Sequence, residues 1–356
     1  IASILTSQLA AHALTSTDSS TVAHIAGQIS TAGNSSDGVR FSGDSNVTTM
    51  SGNITTTGTS SNGFHLGTSN NSTTMSGSIT TTGDSSIGLS LAGSNNKNSI
   101  SGSIMTTGRG SPSIILPTSN NLTTLLGSSI TSGENSAAIL FMDGSASGAT
   151  KISGNISTTG SGSHGIYFQP SVTGVGDHQV DISATISSTG PSSSALYHSG
   201  GSGNSFKLNE GTIIVGDITN TTKNAELNFN LGQHTSYAYS ISGSGVGTGA
   251  GQWTINDNDG RNPAVSNNGS CVTGLSVCNL VTVVSTGNAE VQNELQHITN
   301  NALIGSMQLS ENQVTSNTGS NTIISTKSVS KVNPEYRAWA RLYGGSSKRT
   351  ASAADS

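Results

Sequence analysis

Charge and aromatic rings are both scarce in this sequence. Charged side chains make up 9% of the residues and aromatic ones 4%, against about 25% charged residues in an ordinary globular chain. Nucleic-acid recognition needs basic clusters or stacking platforms, so both shortages argue against it. Eighteen acids against thirteen bases leave a net charge of -5, too mild to point to an electrostatic partner. No run reaches the ~18 apolar residues of a membrane-spanning helix. The sequence opens at Ile1 rather than Met, which places any signal peptide ahead of it.

What fills the chain instead is Gly (45 of 356 residues), Ser, Thr and Asn. Such a composition can mean a disordered tract, but here isolated apolar residues return at a fixed interval. The words TTMSGNITTTG (48–58) and TTMSGSITTTG (73–83) differ in one letter. Gly27, Gly52, Gly77, Gly102 and Gly127 are spaced by 25, and Gly154 follows. Ile29, Ile54, Ile79 and Ile104 keep the same beat, Ile4 precedes them by 25, and Ile130, Ile156 and Ile186 are expected to continue the column. A second column runs Ile25, Met50, Met75, Ile100, Leu125, Ile152, Ile182 and Leu208. A third is a pair of alternating positions, from Val39/Phe41 and Phe64/Leu66 to Ile139/Phe141 and Ile166/Phe168.

Each repeat therefore holds three short strand words separated by Gly, Ser and Asn turns. Strands this short bury little alone. Stacked in register about 4.8 Å apart, each inward residue meets its equivalent above and below. The expected fold is all-β, a right-handed parallel β-helix with three strands per 25-residue coil. Asn46, Asn71, Asn96 and Asn121, four residues before the second column, are expected to form a structural ladder, because stacked Asn side chains hydrogen-bond along a cross-β axis and tolerate turn backbone.

Residues 1–210 read as regular coils. From 211 to 285 the strand words lengthen and the beat is lost, which reads as a less regular C-terminal cap over the last exposed edge. Within 286–335, Val291, Leu295, Ile298 and Ala302 recur at helical spacing, giving a short helix over 288–309 and then a linker. Aromatics and arginines then concentrate over 336–356.

The order of these parts resembles the autotransporters, the type V secretion proteins of Gram-negative bacteria. AWARLYGG (338–345), with Trp339, Arg341, Tyr343 and Gly344, looks like the first strand of their outer-membrane barrel. The resemblance implies a β-helical passenger at the cell surface or released from it, a pore-threading segment, and an outer-membrane barrel beyond Ser356. The spacing between helix and strand departs from the usual one. Cys271 and Cys278 are the only cysteines. A closed metal site needs about four ligands, so a small-loop disulfide, consistent with an oxidising compartment, or two free thiols are the readings left.

Catalytic signals are weak. GDS at 43–45 and 83–85 sits in turn words and completes no protease or lipase motif, and no G-x-S-x-G elbow occurs. GSGVGTGAG (243–251) lacks the phosphate-loop spacing. Asp177, His178 and Asp181 cluster, and read as a surface turn. No cofactor, metal or enzymatic activity is expected. What does form is a hydroxyl face: with Ile54 inward, Thr55 and Thr57 point outward, and Thr80, Thr82, Thr107, Ser157 and Thr159 continue the pattern, interrupted by Met105 and Ala32. Exposed Thr also simply suits strands and solubility. The functional expectations are an adhesin or self-association surface, meeting a host-cell or bacterial receptor (protein or glycan) or another copy, or a glycosylated face. A vacuolating-cytotoxin-like passenger is the alternative, and an ice-binding solenoid or glycan-acting enzyme is third.

Overall fold

The computed structural model describes residues 3–117, 120–142, 148–169, 178–221, 225–230, 239–243 and 251–257, with short pieces at 265–267, 270–271, 341–342 and 349–350. Three parallel sheets, of nine, twelve and ten strands, wrap one elongated core as a β-helix of about nine coils. Up to Ala225–Asn230, successive strands of the chain enter the first, second and third sheet in turn, so neighbours within a sheet there come from successive coils. In the coil that opens at Gly52, the strands are Asn53–Thr56, Phe64–Leu66 and Ser72–Met75. They pair in register with Ser78–Thr81, Leu89–Leu91 and Lys97–Ile100 one coil on.

The three apolar columns form a single core. Ile29, Ile54, Ile79 and Ile104 line it from the first sheet, Phe64, Leu66, Leu89 and Leu91 from the second, and Met50, Met75 and Ile100 from the third. All six Phe residues are buried. The corner glycines are required by close approach: a Cβ on Gly77 would lie 1.8 Å from the Gly52 carbonyl oxygen. Parallel pairing continues past residue 210. Asn204–Asn209 pairs with Ala225–Asn230, and that strand pairs with Trp253–Asp257, whose Trp253 is buried.

Two expectations are corrected. Ile130 does not continue the Ile column. Ser129 pairs with Ile104 and points inward, and Ile130 pairs with Met105 and is exposed. A one-residue slip would turn every side chain of the strand over, and register also keeps Thr131 opposite Thr106. Ser129 Oγ donates to the Ala138 carbonyl at 3.0 Å, and a cavity of about 10 Å³ remains beside it, among Ile100, Leu125, Ile139 and Ile156. Nor does His178 occupy a surface turn. It is buried against Phe141, with ring centroids 4.9 Å apart. Phe141 and Phe168 pack around the ring, and its Nε2 lies 3.2 Å from Thr150 Oγ1 in the third sheet, so the core rather than solvent surrounds it.

Among the described residues no helix occurs. The helix expected over 288–309 lies outside them, as do Asp177, Cys278, Trp339, Tyr343 and Gly344. Cys271 ends the short strand Ser270–Cys271, antiparallel to Val265–Asn267. Arg341 lies in the two-residue strand Arg341–Leu342, antiparallel to Arg349–Thr350.

Candidate functional site

Two outer faces carry chemistry, and the corners between them explain which hydroxyls are free to act. The word TTT has inward and outward members. Thr56 points in and its Oγ1 donates to the Ser61 carbonyl at 2.8 Å. Thr31, Thr81, Thr106 and Thr158 repeat this bond to Ser36, Ser86, Ser111 and Ser163. Those serines form a ladder of their own. Ser61 Oγ donates to Gly33 O at 2.9 Å and accepts the Ser36 N–H at 3.0 Å, so one hydroxyl ties its coil to the preceding one at two points. The same double role recurs at Ser86, Ser111 and Ser136. These hydroxyls are consumed by the fold.

The asparagines at the opposite corner behave alike. Asn71 Oδ1 accepts the Asn46 N–H at 2.8 Å, and Asn96 and Asn121 accept the N–H of Asn71 and Asn96. Asn71 Nδ2 donates to the Thr68 carbonyl at 2.6 Å. The rungs are mainly side chain to backbone rather than amide to amide. Asn71→Ala leaves the buried Asn46 N–H without its acceptor and is expected to lower stability by about 1–3 kcal/mol. A urea midpoint unchanged by the substitution would remove the ladder from the account of stability.

The first outer face belongs to the nine-stranded sheet. Its strands are Ser3–Thr6, Gln28–Thr31, Asn53–Thr56, Ser78–Thr81, Ser103–Thr106, Ser129–Thr131, Asn155–Thr158, Thr185–Ser188 and Ile213–Val215. None contains a charged residue. Thr55, Thr57, Thr82, Thr107 and Thr159 are exposed, and Thr80 and Ser157 half-buried. The outward column runs in register through Leu5, Ser30, Thr55, Thr80, Met105, Ile130, Ser157, Ser187 and Val215, so its hydroxyls are interrupted by exposed apolar residues at Met105 and Ile130 and bounded by Leu5 and Val215.

The second outer face was not anticipated. Between the two inward residues of each second-sheet strand stands one outward residue: Arg40, His65, Ser90, Ile115, Leu140, Tyr167 and Tyr197 in register. Although they face outward, Ser90 is 6% and Leu140 5% exposed. The turn residue three positions earlier stands alongside, as Asp37 beside Arg40 at 3.4 Å and His164 beside Tyr167 with centroids 5.1 Å apart. The result is a lengthwise strip, charged near Arg40, apolar at Ile115 and Leu140, and aromatic at Tyr167 and Tyr197.

At the charged end Asp37 is buried. Its Oδ1 accepts the Asn62 N–H at 2.8 Å, and its own N–H donates to His12 Nδ1 at 2.9 Å. Burial holds the His65 pKa below its ordinary value, with Asp37 opposing the shift and Arg40 and His12 adding to it. At the aromatic end His164 stacks on Tyr197, centroids 4.1 Å apart and planes 14° apart, while Tyr167 meets Tyr197 edge-on. Burial lowers the His164 pKa to about 4, so the ring is neutral at pH 7.

No protein-family model, curated protein or solved structure matches this chain. Functional inference rests on these two faces. Among the described residues no group of three or more His, Cys, Asp or Glu is placed to hold a metal ion. Reading the residue between each pair of apolar positions down the coils would have revealed the second strip, since Arg, His and Tyr depart there from the Ser and Thr that predominate on the first sheet.

Proposed function

We propose that the chain is a rod displayed at, or released from, a cell surface in the manner of an autotransporter passenger, and that it holds cells together through its first sheet. The observation that carries this reading is the absence of any charged residue from nine stacked strands. Two such faces approach without Coulomb repulsion, which between like charges 4 Å apart amounts to about 1 kcal/mol even in water. The rod repeats the same short outward columns in each coil, about 4.8 Å apart. Many weak hydroxyl and apolar contacts along a rigid face then add as avidity. Met105 and Ile130 supply apolar contact within the hydroxyl columns.

The Thr55→Lys/Thr80→Lys variant places two ammonium groups on this face at adjacent coils. Clumping of cells or beads bearing the variant is expected to fall at least tenfold, with partial return at 0.5 M salt as the repulsion is screened. Clumping equal to that of the unmodified chain overturns the proposal. So does vacuolation or leakage of host cells without attachment, or thermal hysteresis, which assigns the face to ice.

A further inference from the structure

The aromatic end of the second-sheet strip forms a receptor site of its own, and we infer that it binds an uncharged glycan by stacking sugar rings on Tyr167 and Tyr197. These two tyrosines are the only aromatic residues of Phe, Tyr or Trp type that reach the surface among the residues of described exposure: every Phe and Trp253 are buried. A chain with six tyrosines in all has thus put two of them side by side on adjacent coils, in register. Solubility alone does not call for this, since outward strand positions elsewhere are filled mostly by Ser and Thr, with aliphatic exceptions such as Met105 and Ile130 but no Phe, Tyr or Trp among the residues of described exposure.

The chemistry of the site matches a sugar on three counts. Aromatic faces present negative quadrupole density to the polarised C–H bonds on one side of a pyranose, and Tyr carries a phenol that bonds ring hydroxyls. Neither phenol has a hydrogen-bond partner among the described residues. Second, His164 is fixed as a donor. Its Nδ1 accepts the Ser194 N–H at 3.0 Å, which leaves the proton on Nε2 of the neutral ring, and Nε2 has no partner among the described residues. Its stacking on Tyr197 holds the imidazole in place and takes one face of that ring, so a sugar stacks on the opposite face of Tyr197. Third, from Ile115 through Leu140 to Tyr197 the outward column carries no charge, which complements a neutral ligand and offers nothing to an acidic polysaccharide.

This inference does not depend on the first-sheet proposal, because the two faces belong to different sheets. The test is titration of the full chain by calorimetry and by ligand-observed NMR at pH 7 with neutral hexasaccharides of β-linked glucose, N-acetylglucosamine and mannose. A hexamer of galacturonate serves as the charged comparison. One neutral hexamer is expected to bind, with affinity falling at least tenfold in Tyr197→Ala and in Tyr167→Ala. Tyr197→Phe retains the ring and is expected to lose less than Tyr197→Ala, and its unchanged melting temperature separates lost contact from lost fold. Thr55→Lys/Thr80→Lys is expected to bind the sugar as the unmodified chain does while failing to clump. Binding of no neutral hexamer, preference for galacturonate, or affinity unchanged in a folded Tyr167→Ala/Tyr197→Ala double variant each overturns the inference.

Discussion

Acidification from pH 7 to pH 4 is expected to weaken the C-terminal half of the rod far more than the N-terminal half. Two histidines lie in the core there. His178 and His198 are both buried, and burial lowers each pKa from 6.5 to about 4, opposed at His198 by its hydrogen bond to Asn220. The imidazoles occupy an aromatic run, with His178 against Phe141 and Phe168, and His198 against Phe168, Phe206 and Trp253. Above pH 6.5 the rings are neutral whether the chain is folded or not, and the full stability is present. Between 6.5 and 4 only the unfolded chain binds the proton, so stability falls with pH across that window. A shift from 6.5 to about 4 corresponds to roughly 3 kcal/mol per histidine.

The half-buried His164 shifts in the same direction, though water reaches part of its ring. In the N-terminal half no described histidine lies in the core, and the half-buried His65 is the one whose pKa burial lowers. Trp253, with its centroid 5.8 Å from that of His198, reports on the affected coils. Its fluorescence should lose its folded signal at lower urea at pH 4.5 than at pH 7. His178→Phe should flatten that dependence by removing one of the two titrations. A urea midpoint constant between pH 7 and 4.5 would contradict the burial of both rings.

Replacing Phe168 by Ala is expected to lower the stability of the same coils by about 3–5 kcal/mol, the range for truncating a buried Phe. Phe168 stacks on Phe141 with centroids 4.2 Å apart and planes 17° apart, and meets Phe206 edge-on at 5.1 Å. It is the ring through which the aromatic run passes from one coil to the next. Truncation therefore opens a cavity that rigid neighbouring strands cannot collapse. Phe168→Leu keeps most of the volume and should lose roughly 1–2 kcal/mol. In a stacked array each coil contacts its neighbours, so damage is regional. Limited proteolysis should cut near the substituted coil first while the coils before Gly102 stay protected. A loss below 1 kcal/mol, or uniform proteolysis along the chain, would show that the run is not a packed core.

The sequence was most informative where one rule acts locally and repeats. Gly52, Gly77 and Gly102 recur because the corner backbones touch, and Ile54, Ile79 and Ile104 because parallel strands pair equivalent residues. Counting 25 from Ile104 leads to Ser129, and the structure follows the count rather than the apolarity of Ile130. Register is a property of the whole strand, and one favourable side chain does not outweigh it. Alternation likewise told Thr55 and Thr57 from Thr56, but not that Thr56 is bonded to the Ser61 carbonyl.

Where coils lengthen, counting loses its hold. Gly127 and Gly154 are no longer 25 apart, so the depth of His178 follows only from its pairing partners in space. The second-sheet strip shows a further limit. Period-2 alternation assigns Leu140 and Tyr167 to the outside, yet how far each is covered depends on the turn that stands beside it. The coil repeat, its core columns and its glycine corners were thus determined by the sequence alone, because each follows from short-range sterics repeated at a constant spacing. Only the tertiary structure decided that His178 is in the core, that Ser129 interrupts an isoleucine column, and that His164, Tyr167 and Tyr197 meet on one face, because residues from different coils and turns become neighbours only when the coils are stacked.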